Sequence, residues 1–190
     1  MILATLLLAL GAAGCETRAV DPQSDTAEIH PYKTVVVGDI TPLHPEWKRL
    51  VRLYKEGLAQ RLRESKAFDR VLHPAPVVMP PDAVIVEGVL DGVDEGSEFL
   101  RMLIASNASR ATVQGQFRFV DGSEATLAEF RQERVSNSDN FRDDQIYMED
   151  LVGALGRDTA TILIRWSRGK GLEPEPAVAE WWNETMGIAD

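Results

Sequence analysis

Two segments of the chain carry apolar residues at helical spacing, one before and one after a series of strand-like segments. The positions that form the two stripes are Trp47, Leu50, Val51, Tyr54, Leu58, Leu62 and then Met148, Leu151, Val152, Leu155, Ile162, Leu163, Trp166. Mostly polar and charged residues stand between the apolar positions of the first segment, so it is predicted to be an amphipathic helix of about five turns. The second helix is predicted over residues 145–167. Helices with one apolar face must cover a sheet or each other, which restricts the chain to layered folds.

Five segments have the composition of strands: residues 32–40, 68–72, 83–93, 111–120 and 125–135. The fourth alternates most strictly, with Val113, Phe117 and Phe119 on one side, as is typical of a half-buried antiparallel strand. Residues 121–124 are predicted to be the tight turn of a hairpin. The predicted fold class is therefore α+β, a two-layer sandwich in β-α-β-β-β-β-α order. Its mixed, mostly antiparallel sheet carries both amphipathic helices on one face.

Cys15 is the only cysteine in the chain and follows an apolar leader over residues 2–13. At about 1.5 Å per residue a helix of this leader reaches roughly 18 Å, well short of the ~30 Å hydrocarbon core of a bilayer. Its length fits the apolar region of a signal peptide, and the small residues before Cys15 resemble a bacterial lipobox. No Lys or Arg precedes the leader, and a cleaved signal with an incidental cysteine or an uncleaved anchor stay open as alternatives.

A lipidated Cys15, carrying palmitate or a similar fatty acid, would hold the protein in the bacterial cell envelope with its domain facing the periplasm. Glu16 follows the cysteine, rather than the Asp that favours inner-membrane retention, so the outer membrane is the expected location. Disulfides are then excluded, since no second cysteine exists. The predicted organisation is a lipoprotein signal peptide over 1–15, a flexible tether over 16–31, a globular domain over 32–171 and a C-terminal tail over 172–190.

The formal net charge is −10, and none of it falls in the leader. Such a surface repels phosphate groups, so nucleic acid is not expected as a partner. The three histidines, His30, His44 and His73, each precede a proline and show no metal-ligand spacing. Nucleophile and phosphate-binding motifs are absent from the sequence. We therefore expect no enzyme activity, no cofactor and no metal, and we read the acidic residues before the second helix as caps.

The most distinctive stretch is residues 94–110, which joins two strands and is too long for a simple turn. Its bulky apolar residues are Phe99, Leu100, Met102, Leu103 and Ile104. One interpretation is a short helix or flap tucked against the domain. The other is an exposed element that contacts a partner or the membrane surface, which makes these five residues the candidate partner-binding site. Trp181 and Trp182 allow the same two interpretations.

Two functions follow as hypotheses. The first is a non-catalytic module that binds another envelope protein or further copies of itself. The alternative is a small-ligand or glycan-binding module that uses the cleft beside residues 99–109, with Trp47, Trp181 or Trp182 as stacking surfaces.

Residues 83–121 resemble a family of bacterial lipoproteins known as domain of unknown function 4410. The positions that carry the resemblance are Val86-Glu87-Gly88, Glu95-Gly96-Ser97, Arg101, Leu103-Ile104 and Phe119-Val120-Asp121. Where the family has glycines, residues 105–109 are alanine, serine and asparagine, which are small but lack the conformational freedom of glycine. The resemblance implies an envelope lipoprotein. More distantly, the order of elements is similar to periplasmic domains of the TolB N-terminal and curli-secretion lipoprotein kind, which implies assembly or binding roles.

Overall fold

The computed structural model describes residues 17–24, 32–94, 111–136 and 144–172. The strands are β1 (Thr17–Ser24), β2 (Thr34–Pro42), β3 (Arg70–Leu72), β4 (Ala83–Asp94), β5 (Thr112–Asp121) and β6 (Thr126–Val135). The helices are α1 (Lys48–Ser65), which follows one 3-10 turn at Pro45–Trp47, and α2 (Asp144–Trp166). Both helices and the strands β2 to β6 lie where the sequence patterns predict them, within a few residues at each boundary.

The six strands form one mixed sheet in the order β1-β6-β5-β4-β2-β3. β2 pairs in parallel with β3, because α1 returns the chain to the end at which β2 began. It also pairs in parallel with β4, which follows the connection over residues 73–82. The other neighbours are antiparallel. The β5–β6 turn is closed by the carboxylate of Asp121, which accepts hydrogen bonds from the backbone N–H groups of Ser123 and Ala125. The predicted α+β class with a mixed sheet is confirmed.

Residues 17–24 correct one prediction. They were expected to belong to a flexible tether over residues 16–31, but they form strand β1 and pair with β6 in an antiparallel register from Thr17 opposite Arg134 to Ser24 opposite Ala128. Pro22 falls in the register shift between Val20 and Gln23, and an edge strand tolerates proline there because that position needs no ladder hydrogen bond. A polar edge strand lacks the continuous apolar run that identifies a central strand, so composition alone indicated a tether.

The core lies between the helices and one face of the sheet. Its largest fully buried side chains include Tyr54, Phe117, Phe119, Phe130, Leu58, Leu62, Leu90, Leu155 and Leu163. The ring of Tyr54 stacks on that of Phe117 with centroids 4.9 Å apart. The alternation predicted for β5 is confirmed, since Val113, Phe117 and Phe119 are buried while Arg118 is exposed. A smaller cluster of Val36, Ala83, Ile85 and Val120 lies on the opposite face.

The strand directions define two ends of the domain. Strands β2, β4 and β6 finish at one end of the sheet, which we call the Pro42 end. Strands β1 and β5 begin there, since Thr17 pairs with Arg134 and Thr112 pairs with Asp94. We call the other end, where β5 turns into β6, the hairpin end. Both helices begin at the Pro42 end, as an ion pair of 2.7 Å between Arg49 and Glu149 near their first turns shows. They therefore run side by side toward the hairpin end.

Among the described residues, no helix is both long and apolar enough to span a bilayer.

Candidate functional site

The sheet face opposite the helices carries a polar depression. Its volume is about 470 Å³, and it is lined by Asp39, Thr41, Glu87, Gly88, Val89, Gln116, Phe117, Arg118 and Glu129. Strand alternation turns Glu87, Gln116 and Arg118 away from the helices toward this face, whereas the ring of Phe117 lies in the core on the helix side. The depression is partly open to solvent, so a ligand here would keep part of its surface in water.

Ion pairs organise this face. The Nη2 and Nε groups of Arg118 donate to Glu87 Oε2 at 2.8 and 3.2 Å. Asp91 Oδ2 accepts a hydrogen bond from Gln116 Nε2 at 3.1 Å and lies 3.5 Å from Arg131 Nη2. The second carboxylate oxygen, Asp91 Oδ1, is buried and has no hydrogen-bond partner. A buried acceptor without a donor is unusual, but Asp91 is not among the residues that line the depression.

A second surface feature is an exposed apolar segment in the connection between β3 and β4. Val77, Val78 and Met79 have relative exposures of 103%, 80% and 36%. We call these three residues the apolar tip. Prolines flank the apolar tip on both sides, at positions 74, 76, 80 and 81. Exposed apolar residues that are contiguous, rather than scattered singly, mark contact surfaces in soluble domains.

The connection that carries the apolar tip is attached to the domain at both of its ends. Arg63 Nη2 donates to the carbonyl of His73 at 3.5 Å, and Ala83 N–H donates to the carbonyl of Pro80 at 3.2 Å. Thr34 Oγ1 donates to Asp82 Oδ2 at 3.3 Å. Proline fixes its own φ, so the segment loses little further backbone freedom on binding. The apolar tip is therefore presented at the hairpin end in a restricted conformation.

A buried polar chain crosses the interface between the helices and the sheet. Tyr54 Oη donates to Thr159 Oγ1 at 2.8 Å, and Thr159 Oγ1 donates to Gln132 Oε1 at 2.6 Å. All three residues are fully buried. Burial raises the pKa of Tyr54 well above its ordinary value. The phenol therefore stays protonated, and its role is to fix α1 and α2 on the sheet rather than to exchange protons.

The residues predicted as the partner-binding site, Phe99, Leu100, Met102, Leu103 and Ile104, lie outside the described residues, as does the lipidation candidate Cys15. The two residues that bound that connection, Asp94 and Ala111, are at the Pro42 end of the sheet. Trp47 is half-buried and lies edge-on to His44, with ring centroids 4.5 Å apart. Trp181 and Trp182 also fall outside the described residues.

His44 and His73, predicted to be loop residues, lie on different connections. His44 precedes the 3-10 turn near the Pro42 end, and His73 follows β3. Partial burial and the positive charges of Lys55 and Arg63 lower the pKa of His73 below its ordinary value. Within the described ranges, no three His, Cys, Asp or Glu side chains are grouped closely enough to hold a metal ion.

The apolar tip and the polar face were both missed by sequence reasoning. The prolines of residues 73–81 predict an irregular connection. Within it, Val77, Val78 and Met79 are three consecutive apolar residues that follow neither the helical nor the strand period, so no buried face is predicted for them. That absence of periodicity between prolines was the available signal. No signal could have found the pairing of Arg118 with Glu87, because it depends on the β4–β5 register.

The fold and these surfaces define a two-layer α+β domain with a polar sheet face and an exposed apolar loop. The chain belongs to the family described as domain of unknown function (DUF4410), which it matches over residues 21–137.

Two crystal structures of the PelC dodecamer from Paraburkholderia phytofirmans, one of them of a leucine-to-methionine variant, are similar to this chain. The TM-scores are 0.46 and 0.47 at 14% and 13% sequence identity, and each match covers 75% of this chain and 94% of that one. No curated protein matches the chain.

Proposed function

We propose that the protein is a lipid-anchored, periplasm-facing lipoprotein whose α+β domain binds another envelope protein and performs no catalysis. The lipobox-like leader ending at Cys15 supports the anchor, and an outer-membrane location follows from Glu16. The observation that carries the binding role is the apolar tip, because Val77 and Val78 are almost fully exposed on an otherwise strongly charged domain.

The energetics of the apolar tip favour association. Two valines and a methionine that leave water on binding contribute roughly 25 cal/mol per Å² of apolar surface. The flanking prolines restrict the backbone before binding, so less conformational entropy is lost when the apolar tip binds. A few residues near the centre of an interface commonly carry most of its binding energy. A specific interface buries about 800 Å² per partner, so the apolar tip would form part of a larger contact surface.

The polar groups of the sheet face support binding over chemistry. Arg118 and Glu87 satisfy one another, as do Gln116 and Asp91 Oδ2. Such pairing stabilises a surface and leaves no activated nucleophile next to a base in this depression. A role in contact or assembly therefore fits the described surface better than a role in catalysis.

Replacing both Val77 and Val78 by Asp is expected to abolish binding of the envelope partner without unfolding the domain, since both side chains are exposed. A photoreactive amino acid at Met79 in intact cells should give a discrete crosslinked adduct in the parent protein and lose it in the double variant. The matched control is Val89→Asp, another exposed apolar residue, on the sheet face opposite the helices. Its adduct should persist.

The same crosslinking assay compares the apolar tip with the site predicted from sequence. Leu103→Asp combined with Ile104→Asp should leave the adduct at Met79 intact if the apolar tip is the contact surface. If that adduct is lost in this second double variant while circular dichroism shows a folded domain, residues 99–104 are the partner-binding site instead. An adduct that survives the Val77 and Val78 replacements would contradict the proposal.

The second candidate function, a small-ligand or glycan-binding module, is favoured by the polar depression itself, whose lining includes the charged and amide side chains of Glu87, Arg118 and Gln116. In a thermal-shift screen of envelope glycans at millimolar concentration, a true ligand should raise the Tm of the parent protein. Gln116→Ala should remove that shift, because Gln116 lines the depression and orients Asp91. Glu124→Ala, in the exposed β5–β6 turn, is the control. The absence of any stabiliser would exclude this alternative.

A further inference from the structure

We infer that the Pro42 end of the domain lies directly on the bilayer and contacts the lipid headgroups. The apolar tip, at the hairpin end, then points away from the membrane. The inference rests on the proposed acylation of Cys15. It adds the orientation of the domain relative to the membrane, which neither the lipobox-like leader nor the family assigns.

The first step concerns distance. Strand β1 begins at Thr17, and only Glu16 separates this strand from Cys15. Two residues of extended chain span at most roughly 7 Å. A tether of all sixteen residues from 16 to 31, by contrast, would reach about 50 Å when extended. Pairing of β1 with β6 therefore removes most of the freedom that a tether would give the lipidated terminus.

The second step concerns direction. Thr17 pairs with Arg134, next to the last residue of β6, and Ser24 pairs with Ala128 toward the hairpin end. The lipidated terminus therefore leaves the sheet at the Pro42 end. Acyl chains buried in a bilayer then hold this end of the sheet within a few residues of the headgroups. The N-terminal ends of α1 and α2 lie at the same end.

The third step identifies a described residue that would meet the lipid. Leu43 follows β2, and its side chain is 58% exposed. Its backbone N–H donates to the carbonyl of Leu90 at 2.9 Å, so its position is fixed relative to the sheet. An apolar side chain near the headgroups gains free energy by entering the interfacial region.

The fourth step places the apolar tip. The connection that carries it leads into Ala83, which pairs with Thr34 at the hairpin end, and Gly122 of the β5–β6 turn lies against Pro80 and Pro81. A strand of ten residues is roughly 33 Å long. The apolar tip therefore lies about that far from the headgroups and is available to a protein partner in the periplasm, rather than to the lipid that holds the anchor.

Fluorescence quenching tests the orientation. Acylation consumes the thiol of Cys15, the only cysteine, so Leu43→Cys or Val78→Cys introduces the single free thiol of the mature protein. Each acylated variant is labelled with a small thiol-reactive fluorophore and placed in phosphatidylcholine vesicles that contain spin-labelled phosphatidylcholine. The label at position 43 should lose most of its fluorescence, while the label at position 78 should keep it.

Two results would overturn the inference. Equal quenching at the two positions, or stronger quenching at 78, in acylated and vesicle-bound protein would contradict the orientation and leave the lipid anchor intact. Labelling of two thiols per chain would show that Cys15 is not acylated, which would overturn the anchor and the orientation together.

A linker variant tests the role of β1. Eight Gly and Ser residues inserted between Glu16 and Thr17 restore a tether without altering the strand. Quenching at position 43 should then fall toward the level at position 78. An unchanged difference between the two positions would show that another contact orients the domain, and would overturn the inference that the spacing between Cys15 and β1 does so.

Discussion

Replacing Gly57 by Ala is expected to destabilise the domain by about 3 kcal/mol, as overpacking of a tight interface does. Gly57 of α1 faces Gly153 of α2, and a Cβ at Gly57 would overlap the backbone carbonyl of Gly153. Backbone cannot move aside as a flexible side chain does, so the two helices would have to separate. For a domain of this size the Tm should fall by roughly 6–12 °C.

Gly153→Ala is the matched control for this effect. A Cβ at Gly153 would find its nearest neighbours, Arg157 Nη1 and the carbonyl of Leu53, at 3.6 and 4.0 Å, which are ordinary contact distances. Alanine is a better helix former than glycine by about 1 kcal/mol, so this variant should be slightly more stable than the parent. Urea unfolding of both variants provides the measurement. Equal destabilisation by the two alanines would show that the helices do not pack as described.

The second large effect is expected at Cys15. Replacement by Ser removes the only thiol and should move the protein from the membrane fraction to the periplasmic fraction, or leave an unprocessed precursor. The domain should keep its Tm, because strand β1 begins at Thr17 and is unchanged. Thr17→Ser, an equally conservative change two residues away, is the control and should remain in the membrane fraction.

A parent protein that keeps its leader attached in the membrane fraction, as the Cys15→Ser precursor would, would contradict the lipid anchor. It would favour the uncleaved anchor that the leader also permits.

The helices and central strands could be predicted because their apolar residues follow a strict period. Tyr54, Leu58 and Leu62 fix one buried stripe of α1, and Phe117 and Phe119 fix the buried side of β5. Strand β1 could not be predicted, because an edge strand is held by backbone hydrogen bonds to β6 and needs no apolar period of its own.

The candidate site was less predictable than the fold. The sequence predicts a partner-binding site in the long connection between β4 and β5, where five bulky apolar residues cluster, and this stays a prediction because they lie outside the described residues. Among the described residues, an exposed apolar segment lies between prolines at positions 77–79, where three apolar residues look like an ordinary connection until their exposure is known. The burial of Gln132 could not be predicted from the sequence either, because it depends on the hydrogen bond that Thr159 donates to its side chain.

The mass of the N-terminal peptide of the protein purified from cell membranes tests the central claim most directly. A lipid-anchored lipoprotein predicts a peptide that begins at Cys15 and carries a diacylglyceryl group on its sulfur, with fatty acids such as palmitate. A peptide that begins at Met1, or one in which Cys15 is an unmodified thiol, would contradict the lipid anchor and with it the placement of this domain in the envelope.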